Sequence, residues 1–126
     1  MSEFVFLLRT GTQQVEAAMG TPERAAQSMQ RWLAWLRELE AKGQLAAPGQ
    51  PLAMAGRVVR GANGVITDGP YAEAKDLVLG FIVIEARDLD EAAQIARGCP
   101  IAQGGGSVEV RPVGHMPEHT PEGAAQ

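Results

Sequence analysis

Val78-Leu79-Gly80-Phe81-Ile82-Val83-Ile84 decides the fold. A half-exposed strand alternates apolar and polar residues, whereas this run is apolar on both faces and reads as a central strand. Phe4-Val5-Phe6-Leu7-Leu8, ended by Arg9, Thr10 and Gly11, reads as a second buried strand. Toward the C-terminus, Asp88-Leu89-Asp90-Glu91 is an Asp-type capping box that opens a helix. Leu89, Ala92, Ala96 and Cys99 share one face of it, and Gly98 and Pro100 close it. After the flexible Gly104-Gly105-Gly106 connection, Ser107-Val108-Glu109-Val110-Arg111-Pro112-Val113 alternates as an edge strand does.

The longest helix lies between the two buried strands. Thr21 is its N-cap, Pro22 its first residue, and Glu23 an acid at the positive end of the dipole. Ala25, Met29, Trp32, Leu36 and Leu39 form one apolar stripe flanked by Leu33 and Trp35, and Gly43 stops the helix after Lys42. Gly11 to Gly20 is expected to be a polar connection. Leu45-Ala46-Ala47 and Leu52-Ala53-Met54-Ala55 read as a strand interrupted by Pro48-Gly49-Gln50-Pro51, which confines it to an edge or a bulge. Arg57-Val58-Val59-Arg60 and Val65-Ile66-Thr67 flank Gly61-Ala62-Asn63-Gly64, whose Asn-Gly pair predicts a small hairpin. Tyr71 to Leu77, polar and Ala-rich, reads as a helical turn.

The order strand, helix, strands, strand, helix, strand predicts an α+β fold of the split βαβ type, an antiparallel sheet with both helices on one face. Either Phe81 and Val83 or Ile82 and Ile84 must then point to the uncovered face. A second copy is the expected cover, giving a homodimer packed sheet to sheet.

A chain of 126 residues suits one domain, expected over 1–114, with a flexible tail at 115–126 rich in Pro, Glu, Gly and Ala. The balance of 45% hydrophobic and 21% charged residues is that of a globular protein. A net charge of −4, with Lys and Arg scattered, argues against direct nucleic-acid binding. Cys99 is the only cysteine, which excludes a disulfide framework and a CxxC pair and fits a reducing cytosol. The apolar run Phe4 to Leu8 is too short for a signal peptide or a membrane span. A cytoplasmic protein without membrane association is expected.

Asp68-Gly69-Pro70-Tyr71 reads structurally as a turn: Asp accepts from backbone amides, Gly permits positive φ, and Pro fixes the exit. A functional reading adds the Tyr71 hydroxyl, Glu73 and Lys75 around the mouth of a cleft between the long helix and the sheet. Glu109 and Arg111 share a face of the last strand, with Arg9 at the end of the first. They form weak cross-strand pairs, or, if that face lines a cavity between subunits, Arg9 and Arg111 grip a carboxylate or phosphate. His115 and His119, with Glu118 and Glu122 nearby, have a metal-binding spacing for a helix, but Pro117 and Pro121 forbid a regular one. No metal and no cofactor is expected. Cys99 has no base outside the tail to activate it and reads as a small buried residue. Gly104-Gly105-Gly106 follows a helix and lacks a following Gly-Lys-Ser/Thr, so it is no phosphate loop. Trp32 and Trp35 read as core and rim of the helix stripe.

Val65-Ile66-Thr67-Asp68-Gly69-Pro70-Tyr71-Ala72-Glu73-Ala74-Lys75-Asp76 resembles the DGPF-type branch of the YCII-related proteins, with Tyr71 in place of the usual Phe. The resemblance continues through Gly80 to Ile84, Asp90-Glu91-Ala92, Arg97-Gly98-Cys99-Pro100 and Gly106 to Val113. It implies a ferredoxin-like fold and a dimeric α+β barrel. In the wider group a His on the first long helix and an Asp before a Pro are proposed as an acid–base pair. Matched by distance from Gly43, those positions fall on Trp32 and Cys99, neither of which does that chemistry, so the resemblance brings no dyad with it.

Two functional readings stand. One is a dimeric small-molecule-binding or weakly catalytic domain, with Asp68, Tyr71, Glu73, Lys75, Arg9 and Arg111 around a small organic acid. A carboxylate or Lys75 would then serve proton transfer. The other is a non-enzymatic regulatory or interaction module, which the resemblance implies through the branch's association with sigma factors.

Overall fold

The computed structural model describes residues 1–69 and 76–116; the candidate residues Pro70, Tyr71, Glu73, Lys75 and His119 lie outside them. Strand β1 (Ser2–Thr10) is followed by helices α1 (Thr12–Met19) and α2 (Pro22–Ala41), then β2 (Leu45–Pro51). Strands β3 (Gly56–Arg60) and β4 (Val65–Gly69) form a separate two-stranded ribbon. Strand β5 (Leu77–Ala86), helices α3 (Leu89–Ala96) and α4 (Pro100–Gln103), and β6 (Ser107–Pro112) complete the chain. The main sheet has the order β2-β5-β1-β6, antiparallel at every neighbouring pair. That is the ferredoxin-like arrangement, with the two strands that read as buried from sequence at its centre and the ribbon inserted before β5.

Helix α2 begins as its sequence dictates: Thr21 Oγ1 accepts from the Arg24 amide at 3.2 Å, with Pro22 in the first turn. It ends at Gly43, whose φ of 69° is the left-handed conformation a C′ residue needs. At α3, Asp88 accepts from the Glu91 amide at 2.8 Å, and Glu91 reaches back to the Arg87 amide at 3.1 Å.

One face of the sheet holds the core. Phe4, Phe6 and Leu8 of β1 and Ile82 and Ile84 of β5 pack against Trp35 and Leu39 of α2, Ala92 and Ala96 of α3, and Cys99. Phe6 and Trp35 stack with ring centroids 6.4 Å apart and an interplanar angle of 17°. The apolar stripe of α2 is therefore centred on Trp35 rather than on the line through Met29, which is exposed. Strand alternation leaves Val5, Leu7, Phe81 and Val83, half-buried, on the opposite face, where no helix lies among the described residues.

Four local expectations are corrected. The stretch after Gly11 is helix α1, although Gly11 supplies no side-chain cap; packing holds it, with Ser28 Oγ of α2 donating to the Ala18 carbonyl at 2.8 Å. Pro100 opens α4 instead of ending a helix, because a first-turn proline costs no hydrogen bond. Leu77 starts β5 rather than ending a helical turn. Gly69 lies in extended β4 opposite Gly56, so positive φ is not its role. A Cβ there would come 2.6 Å from Val58 Cγ2, which makes close approach within the ribbon the reason for a glycine.

Candidate functional site

Arg9 is placed by an irregularity in the sheet. The β1–β5 register runs Leu8↔Gly80 and then Arg9↔Val78, so one extra residue, Leu79, bulges on β5. A bulge sharpens the local twist and re-aims side chains, and here it marks the end of the open face that carries Arg9. The Arg9 side chain is only 27% exposed. Its Nε donates to both carboxylate oxygens of Asp76 at 3.1 Å, and Nη1 donates to Glu109 Oε1 at 3.4 Å. Glu109 Oε2 in turn accepts from Arg111 Nη1 at 3.3 Å. The β1–β6 register explains the meeting: Leu7 faces Glu109 and Val5 faces Arg111, so the alternation that carries Arg9 to the open face carries both others there.

The structure thus joins two of the residues singled out from sequence, Arg9 and Arg111, through Glu109. It adds Asp76, for which the local sequence holds no signal. Asp68 stands elsewhere. Its carboxylate is 92% exposed on the ribbon and pairs with Arg57 Nη1 at 3.3 Å, its cross-strand neighbour. No ion pair among the described residues links Asp68 to Arg9 or Arg111. The side-chain partner is therefore an arginine, where turn chemistry predicts backbone amides.

Among the described residues core side chains fill the middle of the interface between α2 and the sheet, and the mouth of the cleft expected there, at residues 70–75, lies outside the described residues; two depressions stand elsewhere. One, of about 480 Å³, lies at the sheet margin between α2 and β2, lined by Leu33, Leu36, Arg37, Glu40 and Leu45 among others, and contains none of the candidate residues. The other, of about 570 Å³, lies where the ribbon base (Gly56, Arg57, Val58, Gly69) meets Asp76, Leu77 and Val78. Through Asp76 it opens onto the Arg9 network.

That network is two cations and two anions, each cation already held. A strong anion entering it displaces Asp76 or Glu109 and exchanges one carboxylate for another, with little gain. A neutral hydroxyl loses nothing: it donates to a carboxylate while its oxygen accepts from an arginine N–H. The network is also partly solvated, and exposed pairs of this kind are worth about 0–1 kcal/mol each, so a ligand can open it.

Trp32 and Cys99 stand as inert groups. Trp32 leans on Trp35 at 5.4 Å between centroids. Cys99 is fully buried, and burial pushes its thiol above the ordinary range; the Ile101 and Ala102 amides pull the other way and lose. Among the described residues no cluster of His, Cys, Asp and Glu is arranged to hold a metal, and no helix is long and apolar enough to cross a membrane.

Comparison with known proteins adds three findings. The family model described as YCII-related domain matches residues 3–117. An uncharacterised protein of Rhizobium meliloti (strain 1021) is 46% identical over 50 residues, which make up 39% of this chain and 40% of that relative. Among solved structures, 5-chloro-2-hydroxyhydroquinone dehydrochlorinase from Burkholderia phenoliruptrix AC1100, in complex with 2,5-dihydroxybenzoquinone, is similar over 92% of this chain and 96% of its own. The TM-score is 0.50 and the identity 16%, a likeness of fold alone.

Proposed function

The chain belongs to the YCII-related family, and on that premise we propose a dimeric small-molecule-binding or weakly catalytic domain with its site at the Arg9 end of the open sheet face. The observation that carries the reading is the linked set Asp76, Arg9, Glu109 and Arg111 beside the depression at the ribbon base. The ligand class is a small neutral hydroxylated molecule, phenol-like or enol-like, in place of the organic acid expected from the arginines alone. The structural neighbour's ligand, a dihydroxybenzoquinone, shares the hydroxylated ring of that class but, as a vinylogous acid, not its neutrality. Asp76 and Glu109 are the proton acceptors on hand, and the arginine N–H groups stabilise charge developing on the ligand oxygen. Membership of the DGPF-type branch is part of the same reading and rests on Asp68-Gly69-Pro70-Tyr71. So is the homodimer, supported by the uncovered Val5, Leu7, Phe81 and Val83.

A thermal-shift and calorimetric screen tests the site. Hydroxylated aromatics are expected to raise the melting temperature and to bind at least tenfold more weakly to Arg9→Ala and Asp76→Asn. If benzoate or inorganic phosphate binds better than the phenols, or if both variants retain every hit, the site is wrong.

A further inference from the structure

Arg9 has neighbours of two different kinds on its two sides. Toward β5, Val78 stands directly opposite it, and both Val78 and Asp76 line the depression at the ribbon base. Toward β6 are Glu109 and Arg111, which line neither of the two depressions described above. A ligand seated at the ribbon base therefore meets Asp76 and Arg9, with Glu109 behind the arginine.

The hydrogen bonds divide in the same way. The single Nε–H of Arg9 is shared between both oxygens of Asp76, 3.1 Å from each, so neither receives a full bond. Asp76 is also the more exposed carboxylate, at 61% against 40% for Glu109. It is the member of the network that a ligand parts from Arg9 at least cost. Glu109 is engaged at both oxygens, Oε1 by Arg9 Nη1 at 3.4 Å and Oε2 by Arg111 Nη1 at 3.3 Å. Such a carboxylate has little left to offer a ligand, but it restrains the guanidinium against rotation from the side the ligand does not approach. Arg9 Nη2 makes no hydrogen bond among the described residues. In the planar fork of a guanidinium it shares an edge with Nε, so it is a donor aimed to the Asp76 side.

We propose that Glu109 is the positioning residue of this site. It holds the Arg9 guanidinium from the β6 side, so that a ligand hydroxyl inserts between Arg9 and Asp76, accepting from the one and donating to the other. This rests on the preceding reading, in which the ligand is a neutral hydroxylated molecule. Nitrogen-15 spectra of the arginine side chains test the hold without any ligand. Separate Arg9 Nη1 and Nη2 signals are expected in the wild type, and their averaging in Glu109→Ala, with the backbone amide spectrum retained. Calorimetry with 4-methylphenol tests the consequence. Glu109→Ala is expected to weaken binding about tenfold, and Glu109→Gln, which keeps an oxygen for Arg9, to recover most of that loss. Averaged signals in the wild type, or separate ones in Glu109→Ala, overturn the hold. An affinity unchanged in Glu109→Ala overturns the positioning role. So does an affinity as weak in Glu109→Gln as in Glu109→Ala, which makes the Glu109 charge itself a ligand contact. A wild type with separate Arg9 signals that binds no 4-methylphenol overturns the preceding reading and not the hold.

Discussion

Cys99 shows how burial outweighs a local signal. Its position just before α4 gives the sulfur the Ile101 and Ala102 amides, which favour a thiolate, yet enclosure in the core raises the thiol instead. The folded chain consequently holds that proton more tightly than the unfolded one. Stability is undiminished below the unfolded thiol's range, near about 8.5, and falls as pH rises beyond it, by at most about 1.4 kcal/mol per pH unit. Urea titrations from pH 7 to 10 are expected to show that decline, and Cys99→Ala to flatten it. At pH 8 the native thiol is expected to react with a disulfide reagent only at the rate of unfolding; rapid native reaction would contradict its enclosure. The small buried role of Cys99 was legible because no base accompanies it. The pull of the two amides was not, because it depends on Pro100 opening a helix that the sequence pattern treats as a stop.

At the scale of elements, legibility follows where each element draws its stability. Helix α2 carries its own start and stop in Thr21, Pro22 and Gly43, and those marks fix its ends to the residue. Thr21→Ala is expected to cost about 1 kcal/mol in chemical denaturation, with Thr21→Ser recovering most of it. An unchanged midpoint would mean that packing alone fixes the end. Helix α1 has no such marks. Its apolar residues are few, its cap is a glycine, and its support comes from α2 through Ser28, a contact invisible before the chain is folded. Strand β2 lies between these cases. Its prolines announce an edge, but its full course through Gly49 follows from geometry: φ is 65°, and a Cβ there would sit 1.7 Å from the Phe81 carbonyl oxygen. Only glycine lets β2 meet β5 at that point.

For the molecule as a whole, the fold was readable and the site only half so. Two apolar runs placed β1 and β5 at the centre of the sheet, and alternation put Glu109 and Arg111 on one face of β6, to which the β1–β6 register brings Arg9. What joins them to a depression is Asp76, at the entry to β5, and its arrival beside Arg9 depends on the return path of the chain after the ribbon. Asp68 drew attention as part of a turn, but the strand pairing of the ribbon commits it to Arg57. Because the Arg9 pairs are partly solvated, Arg9→Ala is expected to change global stability by less than about 1 kcal/mol while weakening ligand binding. A large loss of stability would make the network structural rather than receptive.

The prolines of β2 have a bearing on how copies of this chain meet at high concentration. An outer strand with free amides is a template on which further chains can stack without limit, toward fibrils. Pro48 and Pro51 have no amide hydrogen to donate, and the bend through Gly49 takes the strand out of line. Growth by strand addition on that side is blocked. Pro48→Val/Pro51→Val is expected to bring thioflavin-positive aggregates on concentration, where the natural sequence stays clear.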